Sequence, residues 1–274
     1  MNKYTVDKLG FVDEAIDSSI NLVDEINKLR REKDALILAH YYQPAEIQQI
    51  ADFVGDSLAL SQKAAESRSK IIVFAGVKFM AETAKILSPA SKVLLPDLNA
   101  GCSLADSCKY EDCAKFVKNY PNHKVVTYVN TTAEIKSLSY ICCTSSNAVD
   151  VIKSIPSDEP IIFAPDRNLG GYIKNLLNRE NMLIWDGACH VHDQFSVERI
   201  LELKRKYPEA KIIAHPECKR PVILVSDYVG STAQLLKYTQ KSSSNIFIVA
   251  TEVGILHEMS LAQPDKIFIP RTAR

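Results

Sequence analysis

Short, continuous apolar runs recur along this chain, and each of the first set ends on a polar group at a strand-length boundary. The anchors are Ala39-His40-Tyr41-Tyr42, Thr127-Tyr128-Val129-Asn130 and Ala214-His215-Pro216-Glu217, with His40, Tyr128 and His215 spaced 88 and 87 residues apart. A polar Ser step follows each anchor after 16 or 17 residues, at Ser57, Ser145 and Ser231-Thr232. A second set of runs (Ile71–Gly76, Ile161–Ala164, Ile246–Ala250) and a third (Val93–Pro96, Met182–Trp185, Ile267–Pro270) keep the same order. Self-similarity at a fixed period marks repeated structural units, each too small to bury its own apolar face alone.

The first unit sets the pattern of elements. Ile16, Ile20, Val23, Ile26 and Leu29 fall at helical spacing and predict a helical lead-in over 1–34. Ala35–Ala39 reads as a strand covered on both faces, since such strands are continuously apolar. Pro44 suits the first turn of a helix over Ala45–Ala51. Phe53-Val54 is a very short strand, and Asp56 or Ser57 caps a helix over Leu58–Ser67. Strands at Ile71–Ala75 and Val93–Leu95 flank a helix over Val77–Leu87 that stops at Ser88-Pro89. Strand and helix alternating at this spacing predict parallel βαβ units, with ligands at the carboxyl ends of the strands. The expected fold is α/β: three pseudo-symmetric αβα units with parallel sheets arranged around a central active-site cavity. The expected boundaries are a lead-in at 1–34 and units at 35–122, 123–209 and 210–274, the last incomplete at its C-terminus.

Composition narrows the function. The 274 residues are 46% hydrophobic and 24% charged, with a net charge of zero, an ordinary globular make-up that gives no electrostatic reason to bind nucleic acid or an anionic membrane. No apolar stretch is long enough to span a bilayer and the N-terminus lacks the layout of a signal peptide, so a cytoplasmic location is expected. Seven cysteines there are expected to be thiols or metal ligands; complete disulfide pairing is excluded by the odd number.

A single His or Tyr at a strand end is more often a structural hydrogen-bonder than a catalyst. Equivalent polar groups at three repeated strand ends have no packing reason to be there, so His40, Tyr42, Tyr128, Asn130, His215 and Glu217 are candidate site residues. Ser57, Ser145, Ser231 and Thr232 each sit where a helix is expected to begin. One such Ser is by default a cap; three in register suggest a substrate with several anionic groups. Phosphate-binding loops of the nucleotide type are absent from the sequence. Cys102 and Cys189 stand 87 residues apart after the third run of their units, unlike the close spacing of zinc-finger or ferredoxin ligands. Ligands so far apart must be assembled by the fold. An iron–sulfur cluster on three thiolates would leave one iron open as a Lewis acid. Cys108, Cys113, Cys142, Cys143 and Cys218 read as small buried residues, the first two within a helix.

At these residues the sequence closely resembles the quinolinate synthase (quinolinate synthetase A) family. The matching stretches include ILAHYYQ at 37–43, GDSL at 55–58, GVKFMAETAKIL at 76–87, PDLNAGC at 96–102, YVNTTAEIKS at 128–137, PDRNLGGYI at 165–173, HPEC at 215–218, GSTAQ at 230–234 and ATEVG at 250–254. The resemblance implies a transferase or lyase-type enzyme of NAD biosynthesis. Such an enzyme condenses iminoaspartate with dihydroxyacetone phosphate to quinolinic acid, losing phosphate and water, on a 4Fe–4S cluster. It implies cluster ligands at Cys102 and Cys189. It also implies substrate contacts at His40, Tyr42, Ser57, Tyr128, Asn130, Ser145, His192, His215, Glu217, Ser231 and Thr232. Glu217 with His192 or His215 are natural proton carriers, and Tyr42 and Tyr128 natural donors to oxyanions. A transient contact with the enzyme that supplies iminoaspartate is a further expectation.

One departure matters. The repeat and the family both place a third cluster cysteine just past Arg274, where this sequence has none. A shortened chain is the favoured explanation, with weak or absent cluster binding; Cys218 as a substitute ligand is the lesser one. His190 stands where an apolar residue or Pro is expected, within reach of a cluster edge. Two alternatives are a non-catalytic iron–sulfur or redox protein and a metal-free sugar-phosphate isomerase or aldolase. The latter needs a Schiff-base lysine, for which Lys78 is a weak candidate better read as solvated.

Overall fold

The computed structural model describes residues 3–271, with side chains from residue 6 onward. The lead-in's first two residues and the last three of the third repeat lie outside them. The chain divides into two compact units, Met1–Cys102 and Ser103–Arg274.

In the first unit, β1 (Ala35–His40), β2 (Phe53–Gly55), β3 (Ile71–Ala75) and β4 (Lys92–Leu94) form one sheet in the order β2-β1-β3-β4. The second unit holds two sheets. One contains β5 (Lys124–Tyr128), β6 (Ile141–Cys143), β7 (Ile161–Ala164) and β8 (Met182–Ile184) in the order β6-β5-β7-β8. The other contains β9 (Lys211–Ala214), β10 (Tyr228–Val229), β11 (Ile246–Ala250) and β12 (Ile267–Pro270) in the order β10-β9-β11-β12. Every pairing is parallel. With helices between successive strands, this is α/β architecture with one topology used three times, as the repeat predicted.

The central strands carry the cores. Leu38, Ile72 and Phe74 in the first sheet, Phe163 in the second and Phe247 in the third are sealed from solvent. Each such side chain contributes about 1.5–3 kcal/mol by burial. A backbone bond also repeats. The N–H just before the second strand of each sheet donates to a carbonyl of the first strand: Asp52 to Ile37 at 2.9 Å, Tyr140 to Val125 at 2.8 Å and Asp227 to Ile212 at 2.8 Å. In sheets one and three the Asp side chain returns the bond, Asp52 accepting from Ile37 N–H and Asp227 from Ile212 N–H, both at 2.8 Å.

Three local expectations are corrected. The helical lead-in is broken: one helix covers Lys3–Leu9 and the next Leu22–Glu32. Ile16 and Ile20 are exposed, so their spacing buries nothing, and tertiary packing is what makes most helices stable. Asp17 instead accepts from the backbone and hydroxyl of Ser19, forming a turn, and Asn21 caps the following helix. Pro44 is the N-cap of the helix Ala45–Ile50 and not in its first turn. Ser145 does not begin a helix; it lies in a turn before the helix Ala148–Lys153.

Candidate active site

Parallel sheets deliver their strand ends to one edge, and the second unit uses the ends of β5, β9 and β11 together. β5 terminates at Tyr128, the turn after β9 carries His215 and Glu217, and Thr251 follows β11. His192 comes from the short helix His190–Asp193, whose N-cap is Cys189.

These groups meet at Glu217. Tyr128 donates its hydroxyl to Glu217 Oε1 at 2.5 Å, while His192 Nδ1 lies 3.0 Å from Oε2. The His192 and His215 rings stack at 4.7 Å between centroids. His192 Nδ1 also lies 3.2 Å from Cys189 Sγ, and its Nε2 lies 3.0 Å from Thr251 Oγ1. His215 Nδ1 accepts the Glu217 backbone N–H at 3.3 Å, and its Nε2 lies 3.2 Å from Ser145 Oγ. Nearby, Ser146 Oγ donates to Ser231 Oγ at 2.7 Å, and Ser231 caps the helix Thr232–Lys241 through a full capping box. Tyr128, His192, His215 and Glu217 are all 4% exposed or less.

A buried carboxylate is costly unless paired. Burial pushes Glu217 up, but the His215 and His192 rings and the Tyr128 hydroxyl outweigh it and hold Glu217 below the usual carboxylate range. Asp166, 0% exposed, goes the other way: burial and then the Glu217 charge raise it well above its ordinary value, against backbone N–H bonds. Two buried carboxyl groups pushed apart in this way are a mark of acid–base sites.

In the first unit, His40 Nδ1 accepts the Tyr42 backbone N–H at 3.1 Å, and the two rings meet edge-to-face at 4.5 Å. Ser57 opens the helix Ser57–Glu66, which Asp56 caps through a bond to Ala59 N–H. Cys102 is half-buried at the end of the unit. In the second unit, Asn130 places a buried Oδ1 without a protein partner, and Thr232 is buried in the first turn of its helix.

Against this geometry, the family described as quinolinate synthetase A protein matches residues 24–274. The chain belongs to that family. A quinolinate synthase of Microcystis aeruginosa is 58% identical over 253 residues, covering 92% of this chain and 79% of the relative. One of Synechocystis sp. is 57% identical over 250 residues, covering 91% and 78%.

The seven cysteines differ in burial, with two corrections to the expectation. Cys102 and Cys189 are half-buried thiols, each directly before a four-residue helix. Cys113, Cys143 and Cys218 are buried; Cys108 is also buried, but in the bend ahead of the helix Tyr110–Lys118 and not within a helix. Cys142, expected to be buried, is exposed at the edge strand β6. Cys218 is unsuited to substitute as a ligand: its thiol donates to Ala250 O and packs in an apolar cluster with Val222 and Ile248. His190 is exposed and pairs with Gln194. Lys78 is exposed, as a solvated lysine should be.

Cys102 in the first unit and Cys189 in the second are each a partly accessible thiol of the kind that can ligate a metal. The one group of three metal-capable donors found among the described residues is Cys189, His192 and Glu217, whose ligand atoms lie within 4.8 Å of one another. Sequence reasoning missed four neighbours. Ser146 was passed over for Ser145. Thr251, Asp166 and Asn168 follow β11 and β7, the second strands of the pattern, whose ends carry polar groups as informative as those of the first. No helix among the described residues is long and apolar enough to cross a membrane.

Proposed function

We propose that this chain forms quinolinate from iminoaspartate and dihydroxyacetone phosphate, with loss of phosphate and two waters, in the cytoplasm. Because iminoaspartate is unstable in water, a transient contact with the enzyme that releases it belongs to the same reading. The observation that carries the proposal is the sealed Glu217 network: a purely electron-carrying or sensing protein has no use for a buried carboxylate held between Tyr128, His192 and His215.

Cys102 and Cys189 would hold a 4Fe–4S cluster together with a third thiolate, and the cluster would supply a Lewis-acid iron. The chain's own groups do the rest. His192 donates from Nδ1 to the ionised Glu217 at Oε2, 3.0 Å away, and that carboxylate stabilises the ring when it takes up a proton at Nε2. Tyr128, whose hydroxyl donates to Glu217 Oε1, can turn that proton to a developing oxyanion. His215 Nε2 and Ser145 Oγ hold a substrate oxygen between them. Ser231 and Thr232 present the N-terminus of a ten-residue helix to an anionic group, and Asn130 Oδ1 offers an acceptor to the imine nitrogen. His40, Tyr42 and Ser57 are the first unit's contributions to substrate binding. Burial of these groups excludes water from an intermediate that hydrolysis would destroy.

The test is quinolinate formation after anaerobic reconstitution with iron and sulfide, using the chain as it stands and the chain continued to a third-repeat cysteine. Product from the continued chain, with about four irons bound, is the expected result. A cluster-loaded protein that makes no quinolinate from both substrates would sink the proposal.

A further inference from the structure

Three consecutive residues after β7 reach two of the site's irregular segments, the one around Cys189 and the turn that carries Glu217. Asp166 accepts Leu169 N–H at Oδ1 (2.7 Å), capping the helix Arg167–Leu177, and accepts Cys189 N–H at Oδ2 (3.2 Å). Arg167 donates its backbone N–H to Gly187 O at 2.8 Å and its guanidinium to Asp186 and Asp193, at 3.0 and 3.3 Å. Asn168 donates from Nδ2 to Asp193 Oδ1 at 3.3 Å and to the Glu217 carbonyl at 3.0 Å. Gly187 packs so closely that a Cβ there would stand 2.5 Å from the Pro165 carbonyl oxygen.

A cap needs only one of these bonds. Capping is fully met by Asp166 Oδ1, so a bond from the second oxygen to an amide 23 residues away is not explained by the helix. Nor does the helix explain an Asn side chain that spans from the 186–193 loop to the turn after β9. Both partners of this turn are segments with little regular structure of their own: a four-residue helix on one side, a turn on the other. Such segments hold a reactive geometry only when neighbouring hydrogen bonds fix them.

We infer that Asp166, Arg167 and Asn168 form a positioning clamp that fixes the Cys189 loop and the Glu217 turn relative to one another. None of the three is a catalytic residue; each acts through the residues it holds. Its consequence for turnover rests on the function proposed above, but the clamp itself can be tested without a cluster or a substrate.

The chain's seven cysteines provide the assay. In cluster-free, reduced protein, alkylation by iodoacetamide is followed thiol by thiol by peptide mass spectrometry. Asp166→Asn retains a good cap, because Asn accepts as Asp does, and replaces the oxygen facing Cys189 N–H with an amide that cannot accept it. Labelling of Cys189 should rise roughly tenfold, the factor expected when one hydrogen bond stops holding a loop closed. Cys142, already exposed, should label at its native rate. Cys108, Cys113, Cys143 and Cys218 are sealed and report global opening; they should stay protected. Asn168→Ala, which leaves the cap untouched, should give the same selective rise at Cys189 through loss of the Asp193 bond. In turning-over enzyme both variants should lower kcat about tenfold and leave KM within about twofold, since they loosen reacting groups and not the anion-binding helix ends. An unchanged Cys189 rate in both variants, or a rise shared by the four sealed thiols, would overturn the clamp and leave these residues a purely structural part of the fold.

Discussion

The first and third repeats share a frame and differ in one side chain. Each places a His at or directly after the end of its first strand, and its Nδ1 accepts the N–H of the residue two further on: His40 from Tyr42 at 3.1 Å and His215 from Glu217 at 3.3 Å. Each precedes its second strand with an Asp that exchanges two bonds with the first strand, Asp52 with Ile37 and Asp227 with Ile212. Yet the residue presented by the His turn is a half-buried Tyr in one repeat and a sealed Glu in the other. The backbone device is therefore conserved within the molecule as a mount, and the chemistry is set by what the mount carries. The middle repeat supports this division. It keeps the backbone bond through Tyr140 but puts Tyr128 where the others have His, and that tyrosine points its hydroxyl at the third repeat's Glu217, 89 residues away.

The sharpest break of the comparison is at the mounted residue. Glu217→Gln keeps an oxygen for the Tyr128 hydroxyl and removes the charge facing His192. Quinolinate formation should fall about 10²–10⁴-fold, the usual weight of a positioned acid–base group. Thermal unfolding should also move to lower temperature, since the partners that hold Glu217 below its ordinary range lose the charge they stabilise. Activity within tenfold of the native chain would mean that Glu217 is only a structural acceptor.

The mount itself is tested at both histidines. In His40→Asn and His215→Asn the new Oδ1 can accept the same backbone N–H that Nδ1 accepted; in His40→Leu and His215→Leu nothing can. The Leu variants should be less stable than the Asn variants by about 1–2 kcal/mol in urea titrations, the cost of an orphaned buried donor. That gap should be similar at the two sites. Activity should drop roughly tenfold or more in the Asn variants too, because Nε2 is gone. A gap at one site only would show that the two turns merely look alike.

How much of this was legible in the sequence follows from the range of each interaction. The sheets were readable because a parallel strand covered on both faces must be continuously apolar, and Ile71–Ala75, Ile161–Ala164 and Ile246–Ala250 are. The spacing of Ile16 and Ile20 misled because periodicity reports a face without saying that anything covers it; both are exposed. His40, Tyr128, His215 and Glu217 stood out because polar groups recurred at equivalent strand ends. Asp166 and Asn168 did not, since an Asp before a helix reads as a cap, and here it is one; its second bond, to Cys189, is visible only in three dimensions. The sealing of Glu217 was likewise hidden, being made by Tyr128, His192 and His215 from three separate elements.

The smallest effect should come from the shared Asp. Asp227 accepts from Ile212 N–H at Oδ2 and from Lys211 Nζ at Oδ1, 2.8 Å each. Burial pushes its carboxyl up, but the Lys211 bond, the Ile212 amide and the Lys211 and Lys204 charges outweigh this and leave it below the ordinary 3.8. A carboxyl whose folded value is depressed binds its proton more weakly in the folded chain than in the unfolded one. Its stabilisation is therefore complete above the unfolded value and fades as pH falls through the folded one. Asp227→Asn can keep the Ile212 bond through its amide oxygen and loses the charge, so at pH 7 it should cost under about 1 kcal/mol, as partly exposed ion pairs do. The difference between native and variant in urea titrations should then shrink steadily as the pH is taken from 6 towards 2. No difference at any pH in that range would show that the bond to Ile212, which Asn keeps, and not the charge, is what Asp227 contributes. The repeated Asp would then belong wholly to the backbone mount that the first and third repeats share.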